Sequence, residues 1–169
     1  MAVLAALTVA LSVYLLGKDA EMRDAGGPGI VSFELAFTEE RAAEIRADWG
    51  EEGMDAARTS LRVDFAYLFA YGALLLLAVM ATSANARRRS WRRLAALGSP
   101  AMIAAIAAPL FDAIENVWLL ISLEGEGGEV APLLGGAFAC LKFAALAAAL
   151  LYVLAGLAAR LRDRRRVRT

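Results

Sequence analysis

Apolar residues gather in four blocks of this chain, at positions 2–17, 61–82, 100–123 and 131–159. No other feature of the sequence constrains the fold as strongly. A helix needs about 20 mostly apolar residues to cross a hydrocarbon core roughly 30 Å thick. The last three blocks reach that length, and the first is marginal. Helices are the only open segments that cross lipid with every backbone group satisfied. The expected fold is therefore all-α: an integral membrane four-helix bundle, one domain over residues 1–169, with an external helical segment at 18–60 between spans 1 and 2. A hydrophobic share of 60% and a mean hydropathy of +0.55 exclude an ordinary soluble domain.

A net charge of zero conceals a separation. Residues 18–58 hold 11 acids against 5 bases, and Glu124, Glu126 and Glu129 add three acids. Arg87, Arg88, Arg89, Arg92 and Arg93 lie in the loop 83–99, and the tail 160–169 carries Arg160, Arg162, Arg164, Arg165, Arg166 and Arg168 against Asp163 alone. Short arginine-rich segments stay cytoplasmic. The chain is thus expected to be multi-pass in a plasma (inner) membrane, with both termini inside and 18–60 outside. Beside a membrane the arginine tail reads as a topology determinant, so the expected partner is the lipid bilayer and not nucleic acid. The first block lacks a basic leader and a small-x-small cleavage site before Lys18, and is read as an uncleaved helix.

With no histidine, His-based acid/base chemistry, His metal ligation and His-containing triads are excluded. The single cysteine, Cys140, cannot form an intrachain disulfide and is read as packing. Nothing calls for a metal or cofactor, and the glycines around Pro28 form a turn, not a phosphate loop. The stretch IVSFELAF (30–37) is too short to span and is expected to lie on the outer leaflet or cap the bundle. Thr38 is a plausible N-cap for a helix whose Ala42, Ile45 and Trp49 form one apolar stripe, interrupted at Gly50 and Gly53. Short loops make successive helices antiparallel neighbours. Small residues four apart, Ala104 with Ala108 and Ala144 with Ala148, would permit close packing inside one bundle or within a homo-oligomer.

Polar side chains inside the apolar blocks mark the candidate site. Asp112, Glu115 and Asn116 fall at i, i+3 and i+4, on one helix face; Asp64, Tyr67 and Tyr71 do the same on the second span. At 1.5 Å per residue, Asp112 and Lys142 both lie about 15 Å below the outer boundary. A charge at mid-helix in lipid costs about 2.5–3.5 kcal/mol on insertion scales. The groups should therefore converge inside the bundle, with Lys142 neutralising one carboxylate, Arg62 near the rim, and Tyr67, Tyr71 and Asn116 completing the hydrogen bonding. Pro109, one turn before Asp112, can kink the third span.

The combination of DFAYLFAYG in the second span, DAIEN in the third, a lysine in the fourth and an external FELAF…W segment resembles small four-span bacterial membrane proteins. That family has no assigned activity, so the resemblance implies the architecture and the same polar residues, and no chemistry. Three functions stay open. The first is binding or transport of a cation, a proton or a small polar or amphiphilic ligand from the outer side, at Asp64, Tyr67, Tyr71, Asp112, Glu115, Asn116 and Lys142, with Phe33–Phe37 as a lid. Next comes an accessory or structural membrane subunit. Last is an intramembrane acid/base enzyme on a lipid-like substrate, Asp112 or Glu115 moving the proton and Lys142 stabilising negative charge.

Overall fold

The computed structural model describes residues 1–166; Arg168 of the arginine tail lies outside the described residues. The chain is all-helical over that range, in the order α1 (Ala2–Asp24), α2 (Ile30–Glu34), α3 (Glu39–Arg88), α4 (Arg92–Ala96), α5 (Gly98–Leu123) and α6 (Val130–Arg166). Four of these, α1, α3, α5 and α6, are long and apolar enough to cross a membrane. The bundle is not symmetric. α5 packs most extensively on α6, α3 touches α1, α5 and α6, and α1 packs principally on α3. The acid-rich connections share one end of the bundle, tied by Arg58 Nε donating to Glu124 at 2.7 Å and Arg46 donating to the Ser122 carbonyl at 2.7 Å. At the other end Arg89, which follows the last residue of α3, meets Asp163 of α6 at 3.1 Å.

Local chemistry explains the long α3. The Thr38 hydroxyl accepts from the Arg41 N–H at 3.2 Å, and Glu39 and Glu40 occupy the first turn, where the helix dipole favours acids. Gly50 takes φ 55° and ψ −161°, a kink that only glycine adopts readily, and the helix resumes beyond it. Gly53 does not interrupt the helix; it is buried against Trp49. Gly72 does not break it either. Its bare Cα lets Pro109 of α5 approach, since a Cβ there would stand 2.9 Å from the proline ring.

The apolar stripe expected on this helix forms the centre of a core at the acid-rich end. Ala42, Ile45 and Trp49 are buried with Met22 of α1, Phe33 of α2, and Leu119 and Leu123 of α5. Trp49 Nε1 donates to the Pro28 carbonyl at 2.6 Å, and its ring lies 5.2 Å from that of Phe33. The five-residue α2 caps this end and is anchored by Asp19, which accepts from the Ile30 N–H at 2.7 Å and from Arg23 at 2.8 Å. Toward the arginine end a second core joins Leu75, Val79, Ala101, Ala105, Ala149 and Tyr152. Cys140, expected to pack inside, is exposed. On a helix between Ala139 and Leu141 it falls on the face that a bilayer would cover.

Candidate functional site

The polar side chains of three spanning helices and of α2 meet in the interior. Asp112, Glu115 and Asn116 share the buried face of α5, as their spacing implies. Lys142 Nζ, on α6, donates to Glu115 Oε1 at 2.8 Å and stands 3.4 Å from Asp112 Oδ1. Tyr71 of α3 donates to Asp112 Oδ2 at 2.7 Å, and Asn116 Nδ2 donates to Asp64 Oδ2 at 2.6 Å. The Lys142 ammonium also lies 4.7 Å from the Phe143 ring centre. One expected participant stands apart from this network: Tyr67 pairs with Ser12 of α1 at 3.4 Å and packs at a tilt against Tyr71. Arg62, expected near the rim, is exposed.

A fourth carboxylate escapes sequence reasoning. Glu34 belongs to α2, yet its Oε2 stands 3.6 Å from Lys142 Nζ, with 12% of the side chain exposed. Burial pushes its carboxyl above the ordinary glutamate range, and Lys142 only partly offsets that. Glu34 Oε2 and Glu115 Oε2 are shut from solvent and accept no hydrogen bond. The available signal was a lone acid between apolar residues in a segment too short to span. Phe33, by contrast, is no lid: it is buried against Trp49, and α2 contributes Val31 and Glu34 to the cavity wall instead.

Beside the cluster lies a cleft of about 560 Å³ between α3 and α6. Its polar end is formed by Glu34, Asp64, Tyr67, Tyr71, Asp112 and Lys142. A second cavity, of about 360 Å³, runs between α1, α2 and α3 and carries Asp19 and Arg23 at its charged side. Val31, Glu34, Asp64 and Tyr67 line both cavities, so the acids stand where the two spaces adjoin. Glu115 lies behind this wall and holds Lys142, while Asn116 lines the second cavity and holds Asp64.

Chemically the arrangement is an acceptor-rich pocket. Lys142 is engaged by three carboxylates, and among the described residues no cation stands within ion-pair distance of Asp64. Among the described residues no three carboxylates converge closely enough to hold a metal ion. No protein-family model, curated protein or solved structure matches this chain.

Proposed function

We propose that the chain is a membrane-embedded binding or transport module for a cation, a proton or a small polar or amphiphilic ligand, taken from the outer side. One observation carries the reading: three carboxylates share a single ammonium and a fourth, Asp64, has no ion-pair partner among the described residues, beside a cleft of about 560 Å³. Surplus negative charge in a low-dielectric site draws a cation or a proton. The side of approach follows from charge. Short arginine-rich segments remain cytoplasmic, which puts both termini inside a bacterial plasma (inner) membrane, turns the acid-rich end outward, and makes the α1–α2–α3 cavity the aqueous route. Acids around that mouth would concentrate cations there.

An accessory or structural role is the second reading, favoured by the full pairing of Lys142, since a buried ion cluster can serve only to set helix register. A register device needs no cavity, however, and the cleft against Asp112 and Lys142 favours binding. The acid/base enzyme stands behind both, because the lysine that would stabilise negative charge is already held by three acids.

The test is calorimetric titration of the protein in lipid nanodiscs with butylammonium, and with butanol as the uncharged match. Saturable binding of butylammonium alone is expected, weakened about tenfold or more by Asp64→Asn with Glu34→Gln, the scale of a lost charge-assisted contact. Absence of saturable binding, or equal binding by the doubly substituted protein, would overturn the reading.

A further inference from the structure

Only one end of the cleft is polar. Beyond Tyr71 the walls are Leu74, Leu75 and Ala78 of α3 and Leu146, Leu150 and Val153 of α6, without an ionisable group. Along α3 the distance from Asp64 to Ala78 is about 21 Å at 1.5 Å per residue, and along α6 from Lys142 to Val153 about 16 Å. A bare cation or a proton has no use for such a trough. Nor is the trough sealed from the side: Val31, Phe143 and Leu150 on its rim are 50%, 40% and 45% exposed, and α1 contributes no lining residue. In a bilayer these rim side chains meet acyl chains.

Building on the cation-binding reading, we infer that the ligand is a single-chain amphiphile with a protonated amine head, its ammonium among Glu34, Asp64 and Asp112 and its hydrocarbon chain in the α3–α6 trough. Charge complementarity selects the head. A carboxylate or phosphate would face four acids whose one counter-ion is already engaged. A neutral head brings no charge to set against the acids. An ammonium brings three donors to acceptors on separate helices, since Glu34 of α2, Asp64 of α3 and Asp112 of α5 all line the cleft. A cleft of about 560 Å³ falls within the range of drug-sized ligand pockets, which suits one chain. The chain would enter sideways from the bilayer, between the exposed rim residues, while the adjoining α1–α2–α3 cavity would keep the head in contact with water.

The wild-type protein in nanodiscs is irradiated with dodecylammonium bearing a photoreactive diazirine at its terminal carbon, and the adducts are mapped by mass spectrometry. Adducts are expected at Ala78, Leu150 and Val153, abolished by excess dodecylammonium and unaffected by dodecanol or dodecanoate. In parallel, Ala78→Trp and Leu150→Trp are each expected to weaken dodecylammonium binding about tenfold or more, the scale of overpacking an apolar contact, with butylammonium binding unchanged. Adducts confined to bilayer-facing Phe69, Ile103 and Leu133 and indifferent to competitor would overturn the proposal, as would both tryptophan variants binding dodecylammonium like wild type. Failure of the tail experiments with intact butylammonium binding rejects the amphiphile alone. Failure of butylammonium to bind the wild-type protein rejects the cation reading itself.

Discussion

Lys142 is the residue on which the interior charge balance turns, because Glu115, Asp112 and Glu34 all reach it. Removing one partner of a buried ion pair strands the other charges and costs about 3–5 kcal/mol. Lys142→Met is expected to destabilise the protein on that scale, measured by reversible unfolding in bicelles, and adding Glu115→Gln should recover part of the loss. An additive double variant would contradict the pairing. Glu34 supplies a pH test. It faces Lys142 of α6, Asp112 and Glu115 of α5, Asp64 of α3 and Asp19 of α1. Its carboxyl is raised by burial, so folding favours the protonated form. That contribution is complete below the ordinary glutamate range and is lost as pH rises through the raised value. Stability is expected to fall over that interval in the wild-type protein and to fall less in Glu34→Gln; identical profiles would refute the assignment. The contrast with the spanning residues is instructive. Asp112, Glu115 and Asn116 were readable because helical spacing puts them on one face, and Lys142 because equal depth puts it beside them. Glu34 was hidden, since its place depends on a turn after Asp24 and on Asp19 holding the Ile30 N–H, contacts that no local periodicity encodes.

Elements are held differently at the two ends. The core around Trp49, Phe33, Met22 and Ile45 couples the amphipathic start of α3 to α1 and α2, and its stripe was legible as apolar positions three and four apart. Trp49→Ala is expected to cost about 3–5 kcal/mol and, because Trp49 props Phe33 and Pro28, to loosen α2 as well. Hydrogen exchange of the Ile30–Glu34 amides would read this, and unchanged protection there would count against the coupling. Deeper in the bundle, where lipid tails are as apolar as leucine, close approach matters more than burial from water, as Gly72 against Pro109 illustrates. The kink at Gly50 offers a clean backbone test. A Cβ there meets nothing within 4 Å, yet φ is 55°. Gly50→Ala should therefore destabilise by about 1–3 kcal/mol through strain alone. Gly17→Ala, equally uncrowded but in regular helix, should be neutral or stabilising by up to about 1 kcal/mol. Equal unfolding midpoints for the two variants would contradict the assigned kink.

At the scale of the molecule, hydropathy and charge placement were enough to imply four apolar helices with acids at one end and arginines at the other. The cleft was not legible, because it depends on how α1, α5 and α6 distribute around α3, and sequence periodicity describes a face without saying which neighbour covers it. With α1 packed principally on α3, a trough remains between α3 and α6. The polar residues become a proposed binding centre only in combination with that space, since a solid interior with the same ion pairs would be a register device. The most direct measurement is solid-state NMR on the protein in nanodiscs, with ¹⁵N-butylammonium bound and the aspartate and glutamate carboxyl carbons labelled with ¹³C. The account expects the bound nitrogen to be dephased by carboxyl carbons, with the effect diminished in Asp64→Asn and again in Glu34→Gln. Dephasing undiminished by both substitutions together, or a bound nitrogen with no carboxyl neighbour, would contradict it.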